Sequence, residues 1–336
     1  MTPSFFSGFF RLICVAKAPL VGGQAVMEGV MMRHGGVYAL AVRHPDGTIV
    51  AERRPWFSLT HASFLSKPFM RGFPTLIETL VNGIKALNRS AQHSAEGAGE
   101  EIQGWQLVVT LFMALALAIG LFVVTPHIMS IGMHWLKLGG GVEGLSFHLW
   151  DGLFKFLIFI GYILLISLVP DIRRVFQYHG AEHKVIRAFE AGGEISVSEA
   201  ARYSRLHPRC GTTFLLFVLS ISILLHAVLV PLLFVFWKPE HAVIKHVATI
   251  FFKLLLMIPI SSLAYELIRY AAGLGDTWIG AVLRAPGMLL QMLTTYEPDT
   301  EHIEVAVAAL AEALGKDAPE RLRAPMYQPM ESNTGL

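Results

Sequence analysis

The segment His179-Gly-Ala-Glu182-His183 has the residue types and spacing best suited to chemistry. Positions three and four apart on a helix share one face, so these three side chains would converge. Two imidazoles one turn apart can hold a metal ion, usually zinc. The pattern His-x-x-Glu-His is the inverted zinc-protease motif, in which a carboxylate accepts a proton from water. His179 and His183 are therefore candidate ligands of zinc or another divalent metal, and Glu182 is a candidate catalytic base. The alternative is a structural polar cluster at the membrane–water boundary.

A second motif, His207-Pro-Arg-Cys210-Gly, also has metal-ligand spacing, and a thiolate is a good zinc ligand. If His207 and Cys210 joined both upstream histidines, the site would be closed, which is typical of structural zinc. If only three ligands met, one position would stay open and hydrolysis would become possible. The alternative is that Cys210 is a small buried hydrophobic residue and that Pro208 stops a helix.

A third motif lies near the beginning of the chain, where two glycine groups flank an apolar run that bears Gln24 and Glu28. It is neither a dinucleotide-binding fingerprint nor a phosphate-binding loop. Glu28 is a further candidate ligand or acid/base, with Gln24 beside it. The alternative is a tight turn in which Glu28 pairs with an arginine.

The composition sets the class of protein that positions these motifs. Of the 336 residues, 54% are hydrophobic and 15% are charged, against about 25% charged in soluble domains. A mean hydropathy of +0.53 favours a mainly α, polytopic membrane protein that contacts the lipid bilayer. A net charge of +2 excludes the basic field that nucleic-acid binding requires.

Four apolar segments are long enough to cross about 30 Å of hydrocarbon as helices: 105–124, 153–169, 212–237 and 247–267. The last contains Lys253, which we expect to snorkel towards the outer surface. The apolar stretch 278–293 is interrupted by Arg284 and Pro286 and is typical of an interfacial or re-entrant helix. Lysines and arginines concentrate before the first span and between the second and third. This distribution predicts that both termini and the middle connection are cytoplasmic.

Short-range patterns predict the remaining elements. Alternating residues on both sides of Pro45-Asp-Gly47 predict a β-hairpin over 37–53, and helical spacing predicts an amphipathic helix over 74–91. The middle connection predicts a helical hairpin, with helices over 172–191 and 196–206. The predicted organisation is a cytoplasmic N-terminal region (1–104), spans one and two (105–170), the motif-bearing segment (171–211), spans three and four (212–268), interfacial and cytoplasmic helices (269–316) and a disordered tail (317–336).

The chain resembles the YqhQ family of bacterial inner-membrane proteins, a domain of unknown function. The matching stretches are Val21-Gly-Gly-Gln-Ala-Val-Met-Glu-Gly29, Ala41-Val-Arg-His-Pro-Asp-Gly47, His179-Gly-Ala-Glu-His-Lys184, His207-Pro-Arg-Cys-Gly-Thr-Thr213 and Glu304-Val-Ala-Val-Ala-Ala-Leu310. The resemblance implies a multi-pass protein of the bacterial cytoplasmic membrane and a metal-dependent enzyme. It implies no substrate.

Two functions follow from the motifs. The first is a membrane-embedded zinc-dependent hydrolase that acts at the cytoplasmic face on a lipid, a membrane peptide or another amphiphile. The second is a non-enzymatic scaffold, assembly factor or small transporter, in which the motif residues are structural. Transport would require a pathway, which four spans could gain by forming a homo-oligomer.

Overall fold

The computed structural model describes residues 21–60, 64–96, 104–275 and 277–330. The strands are β1 (Val21–Val26), β2 (Gly29–His34), β3 (Val37–Arg43), β4 (Ile49–Pro55) and β5 (Gln328–Met330). The helices are α1 (Gly72–Glu96), α2 (Gly104–Ile119), α3 (Thr125–Trp135), α4 (Leu145–Ile166), α5 (Pro170–Ala191), α6 (Val197–Ala200), α7 (Gly211–Phe236), α8 (Ala242–Leu255), α9 (Met257–Gly273), α10 (Trp278–Thr294) and α11 (Thr300–Leu314). A π-helical turn, Gly120–Val124, joins α2 to α3.

The predicted fold class is confirmed. In the described part of the chain, four helical segments are long and apolar enough to cross a membrane: Phe112–Trp135, Leu145–Ile166, Gly211–Phe236 and Ala242–Gly273. The second span begins eight residues before its predicted start, and it contains Asp151 and Lys155, which pair with each other at 3.5 Å. The orientation of the spans stays a prediction.

Lys253 corrects one expectation. Instead of snorkelling, its side chain is fully buried and its ammonium lies 2.6 Å from a carboxylate oxygen of Asp151 in the second span. Charged side chains inside a membrane usually pair with one another, and Asp151 is the partner of Lys253 here. The sequence-based prediction was wrong because it did not identify Asp151 as a membrane-embedded partner.

The predicted hairpin is part of a larger sheet. Strands β1 to β4 form an antiparallel meander, and β5 adds to β4 in parallel. One face of the sheet packs on α5 and α11, and the other face packs on Ala86 of α1. The predicted disordered tail, 317–336, differs over its described residues 317–330, where β5 pairs with β4 and Leu322 bridges to Ile195.

Alanines bring the sheet, α5 and α11 close together. In α11, Ala306, Ala308 and Ala309 are completely buried between the sheet and α5. Because these side chains are small and apolar, neighbouring elements can pack against every face of α11. The result is a rigid support for α5, the helix that carries the first motif.

The stretch 278–293 forms the helix α10, which packs against the third span. A Cβ atom at Gly287 would lie 2.3 Å from the Thr213 hydroxyl oxygen, so the two helices approach as closely as glycine permits. This contact holds the end of α10, with Gln291 and Thr294, beside the start of α7.

Candidate metal centre

Helix α5 and the turn before α7 meet at the candidate site. Helix α5 begins with a proline in its first turn and ends at Gly192, whose φ of 78° is the left-handed conformation that favours glycine. It presents His179, Glu182 and His183 from one face. Cys210 immediately precedes α7, and its Sγ accepts a hydrogen bond from the Thr212 amide at 3.4 Å. The site therefore lies where the third span begins.

The structure brings His179, His183 and Cys210 together. One ligand atom from each of them lies within 4.8 Å of the other two. His179 Nε2 and Cys210 Sγ are 3.1 Å apart. Ligands of one tetrahedral zinc ion lie roughly 3.5 Å apart, given metal–ligand bonds of about 2.0–2.3 Å. A small inward movement of these side chains would close the group around one ion.

Backbone carbonyls fix both imidazoles in one tautomer. His179 Nδ1 lies 2.9 Å from the Thr294 carbonyl oxygen, and His183 Nδ1 lies 2.6 Å from that of Arg205. A carbonyl oxygen only accepts, so each Nδ1 carries the proton and each Nε2 keeps a lone pair. This is how metal-ligating histidines are usually oriented.

The Nε2 atom of His183 tests whether the residues fit a metal. It is buried and has no hydrogen bond of normal geometry in the described part of the chain, and the Cys210 thiol is the group that lies beside it. A buried unpaired acceptor costs about 1–3 kcal/mol, which a bound cation would offset. Burial also keeps this imidazole neutral, since desolvation lowers the pKa of His183. The donor set of two nitrogens and one sulfur suits zinc.

The groups around Cys210 favour its thiolate form. Burial alone would raise the pKa of its thiol, but the neighbouring His183 imidazole and the Thr212 hydroxyl and amide lower that pKa below its ordinary value. The thiolate is the form that ligates metals.

Glu182 lies beside this group and is almost completely buried. Desolvation raises its pKa to about 8, with opposing effects from the charges of His179 and Cys210. Its carboxyl group packs on β1, where a Cβ atom at Gly23 would lie 2.8 Å from the Glu182 carboxyl carbon. Gly23 of the third motif therefore makes room for the candidate base.

His207 is close to the cluster but its ring is engaged elsewhere. Its Nε2 lies 3.2 Å from a Glu190 carboxylate oxygen, and its Nδ1 accepts a hydrogen bond from the Arg209 amide at 3.3 Å. The ring centroids of His183 and His207 are 5.6 Å apart. Both ring nitrogens of His207 thus have partners that are not part of the ligand group.

Comparison with known proteins identifies the family. The family model described as "Protein of unknown function (DUF1385)" matches residues 67–316. The chain belongs to this family. "Uncharacterized protein YqhQ" of Bacillus subtilis (strain 168) is 33% identical over 312 residues, covering 89% of this chain and 94% of the relative. The predicted resemblance to the YqhQ family is confirmed, and no solved structure matches the chain.

Two further candidates of this DUF1385 member lie away from the centre. Glu28 occupies the turn between β1 and β2 with a φ of 50°. Its carboxylate lies 2.5 Å from Arg174 Nε and 3.2 Å from the Tyr178 hydroxyl. The Gln24 amide packs over α1, where a Cβ atom at Gly83 would lie 2.5 Å from its oxygen.

Sequence reasoning missed Gln291. Its side-chain amide bridges the backbone of His207, donating to the carbonyl oxygen and accepting from the amide, both at 2.8 Å. Since Gln291 is completely buried, this double contact fixes the turn that leads to Cys210. A lone glutamine in the apolar sequence 288–293 was the available signal.

Proposed function

We propose that this protein is a membrane-embedded metalloenzyme in which His179, His183 and Cys210 bind one zinc or similar divalent ion. The observation that carries the proposal is the shared tautomer of the two histidines, which turns both Nε2 lone pairs towards the thiol. His207 is a supporting residue in this proposal, since its ring nitrogens are engaged by Glu190 and the Arg209 amide. Glu28 and Gln24 shape the surrounding fold.

The reaction class that best suits this site is hydrolysis. Three protein ligands leave the fourth tetrahedral position open, as in catalytic zinc sites. Bound zinc would supply Lewis-acid chemistry, and the carboxylate of Glu182 would accept the proton of the attacking water. Burial keeps the pKa of Glu182 near neutral pH, which is the range in which a general base works best.

The position of the site indicates the substrate class. Cys210 precedes the first residue of the third span, so the centre lies at the level where that span enters the membrane. A lipid, a membrane peptide or another amphiphile could reach this level without leaving the bilayer. The basic residues that flank it predict the cytoplasmic face of a bacterial inner membrane.

Metal analysis of the purified protein tests the proposal. We expect one zinc per chain in the wild type, loss of the metal in His183→Ala and Cys210→Ala, and full retention in Glu182→Gln. A panel of fluorogenic lipid and peptide esters then tests catalysis, with turnover in the wild type and none in Glu182→Gln. A wild-type protein without stoichiometric metal would overturn the proposal.

One observation favours a second function, a structural metal that braces the fold. The same ligand set joins α5, the turn before α7 and, through Thr294, the end of α10. In that case His183→Ala would lower the unfolding temperature, Glu182→Gln would change little, and the zinc-loaded wild type would hydrolyse no ester. The two functions thus differ in the effect of Glu182→Gln.

A further inference from the structure

A second cluster of titratable residues lies inside the span bundle. We call the membrane side reached by the loops 136–144 and 237–241 the distal end, because it is opposite the metal centre. From this end inwards, the cluster consists of His246, His127, Lys253, Asp151, Lys155 and His226. We call it the histidine–lysine chain.

Its outer half connects the first and fourth spans. His246 Nδ1 lies 2.9 Å from His127 Nε2. On the other side of the ring, His127 Nδ1 lies 3.5 Å from the Lys253 ammonium. The His127 imidazole therefore has one nitrogen towards each of its two neighbours, which is the geometry that lets a histidine pass a proton along.

Its inner half connects the fourth, second and third spans. Lys253 donates to one oxygen of Asp151 at 2.6 Å, and Lys155 approaches the other oxygen at 3.5 Å. Lys155 then lies 3.3 Å from His226 Nδ1. Lys155 is ten residues into its span, which puts it about 15 Å along the helix and near the middle of a hydrocarbon layer roughly 30 Å thick.

The charges of this group do not balance. One carboxylate faces two ammonium groups, and Asp151, Lys155 and Lys253 are each at most 5% exposed. An uncompensated charge at this depth is expensive, whereas a neutral amine is not. The histidine–lysine chain is therefore most stable when one of its two lysines lacks a proton. It thus contains one exchangeable proton site.

Both ends of the histidine–lysine chain can accept a further hydrogen-bonding partner. His246 lines a cavity of about 390 Å³ at the distal end, together with His134, Glu143 and Lys245. At the inner end, His226 Nε2 is buried and has no hydrogen-bond partner in the described ranges, and the same is true of Nδ1 of the neighbouring His148. Protons can thus enter at the cavity and be held in the bundle interior.

We propose that the histidine–lysine chain is a proton relay that carries protons between the distal cavity and His226 in the middle of the bundle. In a membrane, chains of such residues mark proton pathways. The ligand is the hydrated proton, and the relay is independent of the metal centre.

Hydrogen exchange at the His226 ring tests the relay. The protein is labelled with ¹⁵N-histidine, reconstituted in bilayers and transferred to D₂O, and loss of the His226 N–H signal is followed by NMR. The signal is assigned by its absence in His226→Gln. We expect the ring to exchange at least tenfold faster than the amide of Val230, which is fully buried in the same helix and reports opening of the helix.

Two matched variants locate the route. His246→Gln keeps a hydrogen-bonding side chain but cannot shuttle protons at neutral pH, so it should slow exchange of His226 to the rate of the Val230 amide. His134→Gln alters another histidine of the same cavity and should leave the exchange rate unchanged. Exchange of His226 no faster than the Val230 amide in the wild type, or unchanged in His246→Gln, would overturn the proposal. The Val230 amide also reveals whether either variant loosens the fold.

Discussion

Substituting Gly180 by alanine should damage the metal centre without changing any candidate ligand. A Cβ atom at this position would lie 2.2 Å from the Tyr296 carbonyl oxygen, whereas relaxed C···O contacts are roughly 3.3 Å or longer. Helix α5 and this loop must therefore separate by about 1 Å. The loop cannot simply rotate away, because the Tyr296 amide donates to the Phe176 carbonyl oxygen at 3.0 Å.

The magnitude follows from two opposing effects. Overpacking against backbone costs about 3 kcal/mol, the upper end of the usual range, and alanine regains about 1 kcal/mol of helix propensity. The net loss of stability is about 2 kcal/mol. The same movement withdraws the Thr294 carbonyl, two residues before Tyr296, from His179 Nδ1. Losing such an orienting bond lowers metal affinity roughly 10- to 100-fold.

The assay combines thermal unfolding with zinc titration against a chromophoric chelator. Gly161→Ala is the matched control, since it lies in the helix of the second span and a Cβ atom there meets nothing within 4 Å. We expect Gly161→Ala to keep wild-type zinc affinity and to be as stable as the wild type or up to about 1 kcal/mol more stable. Gly180→Ala should lose both affinity and stability. Wild-type zinc affinity in Gly180→Ala would refute the argument that Thr294 orients His179.

Three further substitutions test other parts of the structure. His207→Ala should retain one zinc per chain by metal analysis, because Glu190 and the Arg209 amide already engage its ring; loss of the metal would make His207 a ligand. Glu78→Gln should lower the unfolding temperature at pH 7 by an amount that shrinks as the pH falls below the ordinary glutamate pKa. Burial would raise the pKa of Glu78, but hydrogen bonds from Thr60, Ser58 and Leu59 hold it below its ordinary value. The contribution of the carboxylate is therefore present above the ordinary pKa and is lost as the pH falls through the lowered one. A difference that does not shrink as the pH falls through this range would contradict this. Arg71→Met should lower the free energy of unfolding, measured by chemical denaturation, by about 3–5 kcal/mol, because the fully buried Glu266 loses its ion-pair partner. Adding Glu266→Leu to the same protein should restore most of this loss. If it restores none, the ion pair is not the cause.

The sequence predicted what periodicity and local spacing encode. The convergence of His179 and His183 follows from helical spacing alone, and the four spans follow from hydropathy. Neither signal reports which backbone carbonyls approach the imidazoles from α10 and from the turn before α7. For this reason the tautomers, and with them the strongest argument for metal binding, became visible only in the folded chain.

Pairing across spans was equally hidden. Lys253 looked like a snorkelling residue because hydropathy treats each span separately, and its carboxylate partner is 102 residues away in the chain. By helix propensity alone, Gly180 would only weaken α5. Its real role depends on a loop more than a hundred residues later, so no local pattern could reveal it.

Helix α7 links the two clusters, and its composition limits how they can communicate. Cys210 precedes the helix and His226 lies 16 residues later, which is roughly 24 Å along the axis. The sequence between them, Gly211 to Leu225, contains no titratable side chain, so α7 offers no series of titratable groups from one cluster to the other. Coupling along α7 must therefore be mechanical, through movement of the helix. An altered zinc affinity in His246→Gln would indicate such movement, because that substitution changes a residue on the far side of the membrane from every candidate ligand.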